Sequence, residues 1–404
     1  MITLSDNKKT IAQMAIALAL CHLSVSLSTA QTTLKDAYRD LWYTGVSVNQ
    51  WEVEADTIGT NSHDITGLVS SDQTANWSVI TEHFNWVVAE NCMKCEVIHP
   101  QEGVYDFTLA DKFVDKARAA GLKVMGHCLI WHSQCAPWFH YDNQGNLVSP
   151  EVLKKRIREH IYTVVHHFRG RVDAWDVVNE AFNDDGTPRQ SLFYKILGTD
   201  YIPLAFQYAH EADPDAMLFY NDYSMNKREK VEGVANFFRP LIQQGLPISA
   251  IGMQGHMIVE DTGTIDAYDH SIKTIASLGI PTAFTEVDLS ALPNPYGFSG
   301  ANISDKFAYR ESMDPYKNGL TKEQQKKMDD YWVRFFQMLL RHKGDIQRVS
   351  FWCLNDANSW RNDFPIKGRT DYATLFDRQN NPKPIVKKLI ELKTKNQKLK
   401  TKKT

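Results

Sequence analysis

Eight short apolar runs, each followed by a long amphipathic stretch, fix what this chain can become. The runs are "GVSVNQ" from 45, "NWVVAEN" from 85, "LKVMGHCLIW" from 122, "VDAWDVVNE" from 172, "MLFYND" from 217, "ISAIGMQGH" from 248, "PTAFTEVDL" from 281 and "RVSFWCLND" from 348. Between them lie patterns such as "LADKFVDKARAAG", "SPEVLKKRIREHIYTVVHHFRG", "DAYDHSIKTIASLG" and "KEQQKKMDDYWVRFFQMLLRHKG". Their apolar residues recur at three and four, and several end on Gly, the signature of helices packed on one face. Ser149-Pro150-Glu151 is a helix start, a cap followed by Pro at the first position. Eight strand–helix units predict an α/β chain folded as a single (β/α)8 TIM barrel with long βα loops. An open doubly wound sheet is the alternative, but no Gly-rich phosphate loop follows any run. A chain of 404 residues with 43% apolar content suits one such barrel. The Pro-, Gly- and Asn-rich stretch from about 291 to 320 follows the seventh run and predicts a long loop over one mouth.

The two ends read differently from the middle. Lys8 and Lys9 precede the uncharged apolar run "IAQMAIALALCHLSVSL", then "STA" and Gln31. That order predicts a secretory signal over 1–30, cleaved near Ala30, and a product released to the periplasm or the exterior. The barrel is expected over 31–395, and the Lys-rich stretch 396–404 reads as a solvated, frayed tail. No other stretch could span a bilayer, so no membrane span is expected in the mature chain. The net charge of -3 gives no field favouring nucleic acid or an anionic membrane. A monomer is expected. Of six cysteines, Cys21 falls in the leader, and the odd remainder leaves at least one thiol unpaired. "CMKC" (92–95) reads as a strand end without a second such pair, so no metal site is expected there.

In a parallel barrel the carboxyl ends of the strands point into one mouth. The second run ends in Glu90, Asn91 and Lys94; the third carries His127, Trp131 and Gln134. The fourth ends in Asn179 and Glu180, the fifth in Asn221 and Asp222. The sixth carries Gln254 and His256, the seventh Glu286 and Asp288, and the eighth Trp352, Asp356 and Trp360. One such residue is most simply a structural hydrogen-bonder. A whole set at one barrel face points to chemistry. His127 and His132, five apart on a strand, face opposite sides and make a poor metal site. No serine sits in a nucleophile elbow. Two carboxyls among amides, imidazoles and indoles are the equipment of glycoside hydrolysis: one protonated to donate, one ionised to attack or to activate water. Glu286 and Asp288 share a strand face, and His256 on the neighbouring strand could bridge them, holding Glu286 ionised. Glu286 is therefore expected as nucleophile and Glu180 as acid/base, with Asn179 beside it.

With these residues in view, the sequence resembles the family 10 glycoside hydrolases, the (β/α)8 endo-1,4-β-xylanases, from about residue 36 to 392. "WDVVNEA" resembles the acid/base motif and "TEVDLS" the nucleophile motif, implying Glu180 and Glu286 in those roles. "GHCLIWHSQ" implies His127, Trp131 and Gln134 in the glycone subsites; "ENCMKCE" implies Glu90, Asn91 and Lys94 on the sugar next out. "GMQGH" places Gln254 near the acid/base and His256 behind the nucleophile, and "FWCLNDANSWR" implies that Trp352 and Trp360 wall the cleft. The resemblance implies xylan and xylo-oligosaccharides as substrates and no cofactor. Cys95 stands where the family usually has Trp, and "NSHDITGLVSSDQTANW" after the first run departs from the usual short start. A β-1,4-glucanase and a catalytically silent polysaccharide-binding surface protein are the alternatives. The set Glu90, Asn91 and Lys94 favours xylan over glucan, and the presence of both glutamates opposes a silent protein.

Overall fold

All eight predicted runs form strands, and they close into one parallel barrel. The computed structural model describes residues 32–54, 73–298 and 304–401. In it the strands are β1 (Tyr43–Val48), β2 (Trp86–Ala89), β3 (Lys123–Trp131), β4 (Ala174–Asn179), β5 (Met217–Asp222), β6 (Ala250–Met253) and its short continuation β7 (His256–Ile258), then β8 (Thr282–Ser290) and β9 (Ile346–Phe351). The hydrogen-bonded order is β6-β5-β4-β3-β2-β1-β9-β8, with β7 also on β8, and the β6–β8 pairing closes the ring. The expected leader, residues 55–72 after β1, 299–303 in the loop after β8 and 402–404 lie outside the described residues.

Strands of this kind are apolar on both faces because the barrel has two interiors. Trp86 and Val88, Met125, Ala174, Phe219, Ala250 and Ala283 point into the bore. The alternate residues Val87, Val124, Trp175, Leu218, Ile251 and Phe284 pack outward against the helices. Those helices follow the predicted patterns: Thr108–Ala119, Pro150–Phe168, Thr264–Ala276 and Lys322–Arg341. Ser149 caps the second of them, its hydroxyl accepting from Val152 N. No helix among the described residues is long and apolar enough to cross a membrane.

Three expectations are corrected. The Lys-rich end is not frayed as far as residue 401: the backbone runs as one helix from Pro384 to Thr401, and 402–404 lie outside the described residues. Lys and Leu, which dominate it, are good helix formers. "CMKC" is not part of a strand, since β2 stops at Ala89 and Cys95 begins the helix Cys95–Ile98. His132 lies past the end of β3, whose register shifts between His127 and Ile130, so simple alternation does not relate the two histidines.

One glycine fixes how β3 and β4 meet. Gly126 is the register partner of Trp175, and a Cβ built on it would lie 2.2 Å from the Trp175 ring. Gly126→Ala should therefore displace a fully buried indole and lower stability by about 1–3 kcal/mol, the usual cost of overpacking. Denaturant unfolding of the two proteins checks this.

Candidate active site

The mouth at the strand carboxyl ends gathers buried acids, each with its own set of partners. His256, on β7, stands between two of them. Its Nδ1 lies 2.9 Å from Asp288 Oδ2 and its Nε2 3.2 Å from Glu286 Oε2. Both carboxylates accept, so the ring donates from both nitrogens as an imidazolium. Burial would push His256 down, but the charge of Asp288 and its hydrogen bond, with the bond to Glu286, carry it up to about 9. Burial would likewise raise Glu286, yet the His256 bond and charge hold its carboxyl below the usual range. Asp288 is fully buried and held well down by Arg361, whose Nη2 donates to Oδ1 at 2.9 Å, and by His256. Trp360 Nε1 adds a donor to Asp288 Oδ2 at 2.7 Å. The other oxygen of Glu286, Oε1, accepts from Asn221 Nδ2 at 2.9 Å.

Asn221 ties three strands at one level. Its Nδ2 also donates to Asn179 Oδ1 at 3.1 Å, and its Oδ1 accepts from Thr285 Oγ1 at 2.6 Å. Gly252 leaves room for that amide: a Cβ there would lie 2.6 Å from Asn221 Oδ1.

Glu180 sits in a contrasting setting. Its Oε1 accepts from Gln254 Nε2 at 2.8 Å and its Oε2 from Trp131 Nε1 at 2.9 Å, both neutral donors. Its pKa is raised, first by burial and then by the charge of Asp222, with a smaller push from Glu286. The push from Glu286 therefore acts beside two larger ones, burial and Asp222. Glu180 also adopts φ 57°, a left-handed conformation that costs a non-glycine residue about 1–3 kcal/mol. Three bonds enforce it. Glu180 N donates to Asn221 O at 2.9 Å, Arg189 Nε donates to Glu180 O at 2.9 Å, and Ala181 N donates to Tyr220 Oη at 3.0 Å. Tyr220 Oη in turn donates to Asp222, which pairs with Lys230 Nζ at 2.7 Å; Asp222 and Lys230 are wholly buried.

A polar shelf adjoins this pair. Lys94 Nζ donates to Asn91 Oδ1 at 2.9 Å and to Gln134 Oε1 at 2.7 Å, and lies 4.9 Å from the Trp131 ring centroid. Asn91 Nδ2 reaches Glu90 Oε1 at 3.4 Å, while Glu90 Oε2 is buried with no protein partner among the described residues. His127 Nδ1 is 2.9 Å from Asp176 Oδ2, which leaves Nε2 as its second polar atom. Trp352 is largely buried and meets His127 edge-on at 5.6 Å, so it forms floor more than wall. Trp360 stacks on Phe364 at 5.3 Å. Asp356 belongs elsewhere: Lys383 Nζ and Thr374 hold it in a structural cluster.

Sequence reasoning saw Asn221 only as a strand-end residue, without its bracing role, and missed Arg189, Tyr220, Lys230 and Arg361. Lys230 did carry a signal, since it sits on the apolar face of the helix Arg228–Gln243 in line with Val234 and Phe238.

The model of glycosyl hydrolase family 10 matches residues 48–392. The chain is 46% identical over 313 residues to endo-1,4-beta-xylanase A of Xylanibacter ruminicola, covering 78% of this chain and 85% of that protein. It is 36% identical over 323 residues to an endo-1,4-beta-xylanase of Geobacillus stearothermophilus, covering 79% and 92%. Among solved structures, a GH10 endoxylanase from a sugarcane soil metagenome superposes with a TM-score of 0.82 at 35% identity, covering 89% of this chain and 99% of that one. Xylanase XynB of Paenibacillus barcinonensis, complexed with a conduramine derivative, gives 0.77 at 32% identity, with 90% and 99% covered.

The raised pKa of His256 makes a signed prediction about stability. Its folded value of about 9 exceeds the ordinary 6.5. Its stabilising contribution is therefore fully present below about 6.5 and lost as pH rises through about 9. His256→Asn should unfold well below the wild-type midpoint at pH 6, and the gap should narrow at pH 10. Thermal unfolding at the two pH values checks this.

Proposed function

The chain belongs to glycosyl hydrolase family 10, and from that membership we propose that it is an endo-1,4-β-xylanase acting with retention of configuration. Glu286 is the nucleophile and Glu180 the acid/base. One observation carries the assignment: two buried carboxyls in the same mouth sit in opposite electrostatic settings, one against an imidazolium and one against neutral donors and a nearby anion. The names of these two relatives support xylan as substrate.

The chemistry follows from those settings. Glu180 gives its proton to the glycosidic oxygen as the bond to the anomeric carbon breaks. Glu286 attacks that carbon from the opposite face and forms a glycosyl ester. Ester formation removes the charge of Glu286, so Glu180 loses one of the pushes on its proton and becomes the base that activates water. Water attack frees Glu286 and returns the β-anomer. Asn221 fixes the attacking carboxylate in one rotamer, and Asn179 lies within reach of a sugar hydroxyl. Glu90, Asn91, Lys94 and Gln134 grip the adjoining xylose, with Lys94 as the charged donor. Trp360 supplies an apolar face toward the cleft. Export after cleavage near Ala30 belongs to the same reading, because a polymer such as xylan is met outside the cell. N-terminal sequencing of the released enzyme tests that point.

Reducing-sugar release from xylan, assayed beside β-1,4-glucan, is the first experiment. Absence of release from xylan would remove the reading.

The mechanism has its own test. The rate should follow a bell in pH, its acid limb from Glu286 and its basic limb from Glu180, as apparent values of a coupled pair. Glu180→Ala should lose the basic limb, spare the first step on substrates with good leaving groups, and be rescued by azide to a β-glycosyl azide. A full bell in that variant, or an α-anomer as first product by NMR, refutes the assignment.

Lys94→Ala should lower kcat/KM on xylo-oligosaccharides by the equivalent of about 2–4 kcal/mol, because buried partners lose a charged donor. Steady-state kinetics measures it.

A further inference from the structure

Beside the sugar-binding shelf, two thiols lie against each other. Cys95 Sγ and Cys135 Sγ are 3.9 Å apart, on residues 40 apart in sequence. Cys95 opens the helix Cys95–Ile98, and Cys135 follows Gln134, which holds φ 45°. The two segments are already laced together. Glu96 N donates to Gln134 O at 3.0 Å, one residue from each cysteine. Gln134 Nε2 donates to Glu96 Oε1 at 3.1 Å, and Lys94 Nζ to Gln134 Oε1 at 2.7 Å.

That lacing answers the geometric demand of a disulfide. The bond needs Cα atoms about 4.4–6.8 Å apart and sulfurs at about 2.05 Å. A backbone hydrogen bond between adjoining residues holds two segments at about 5 Å, the spacing of paired chains. The 3.9 Å between the sulfurs is the gap left for side-chain rotation to close. Access is asymmetric. Cys135 is half-buried, whereas Cys92, Cys95, Cys128 and Cys353 are buried.

We propose that Cys95 and Cys135 are a disulfide-forming pair that staples the segment bearing Lys94 to the segment bearing Gln134. The oxidant is a disulfide, of a small thiol or of an oxidoreductase. Cys135, as thiolate, attacks one sulfur of the donor, forms a mixed disulfide and releases one thiolate. Cys95, losing its proton, displaces the second thiolate and completes the Cys95–Cys135 bond. The donor disulfide takes up two electrons and leaves as two thiols, which receive the two protons. The hydrogen bond of Cys135 to Cys95, and then burial, push the Cys135 thiol well up. The thiolate fraction is therefore small at neutral pH, and oxidation speeds up as pH rises.

The staple closes a long loop, which restricts the unfolded chain and stabilises the fold. Full-length enzyme incubated with oxidised glutathione at pH 8.5 should lose two thiols titratable in denaturant. Non-reducing peptide mapping should find Cys95 joined to Cys135. The unfolding midpoint should rise by about 3–8 °C and fall back on adding dithiothreitol. Cys135→Ser and Cys95→Ala, treated alike, should show neither the link nor the rise. An unchanged thiol count, a persistent glutathione adduct on Cys135, a link between other cysteines, or a link with no rise in midpoint would each overturn the proposal. The mapping on unaltered enzyme decides the pairing even if a variant folds poorly.

Discussion

Carboxyl groups buried together at one mouth must each be given a different reason to be there, and the architecture of this barrel is organised around that demand. Glu180, Glu286, Asp288, Asp222 and Asp176 are all buried. An isolated buried carboxylate would cost several kcal/mol, and neighbouring like charges would add to that. Each acid is therefore given its own set of partners. Asp288 has Arg361 and His256, Asp222 has Lys230 and Tyr220, and Asp176 has His127. Glu286 shares His256 and takes an amide from Asn221. Glu180 has only neutral donors on its carboxyl, from Gln254 and Trp131, and burial and the charge of Asp222 push its pKa up.

The partners come from every part of the chain because each strand end contributes at one level. Asn179 pairs in register with Asn221, and Asn221 with Gly252. A parallel barrel places such positions side by side, so an amide on one strand reaches carboxyls on others without a long side chain. The left-handed backbone at Glu180 belongs to the same economy of reach. It turns the side chain off the line of β4, and Asn221 O, Arg189 and Tyr220 hold the turn against its cost.

How much of this a reader of the sequence can see depends on the range of the interaction. The eight strands were legible because burial on both faces writes a continuous apolar run. Glu286, Asp288 and His256 were legible as a group because the first two share a strand face and the third lies on the next strand. The role of Trp131 as a donor to Glu180 was not, since an indole at a strand end reads equally well as a stacking surface. Arg189 and Lys230 were not, because they reach the mouth from beyond β4 and from the helical shell. Asp222 was visible at a strand end, but its influence on Glu180 depends on how deeply Lys230 neutralises it, and spacing carries no depth. Cys135 showed no partner in the text, since its neighbour is 40 residues away.

The interruption between β6 and β7 has a wider meaning. Gln254 and His256 flank Gly255, whose φ of 85° no ordinary residue adopts readily. One of the two grips Glu180 and the other grips Glu286. Their backbone is sewn to both neighbours: Gln254 N to Asp222 O at 3.0 Å, and Glu286 N to Gln254 O at 2.7 Å. Three consecutive residues thus act as the jaws of a caliper. A side chain that holds one carboxyl and a side chain that holds the other are thus spaced by one tight bend, so a change in the shape of that bend would move both supports at once.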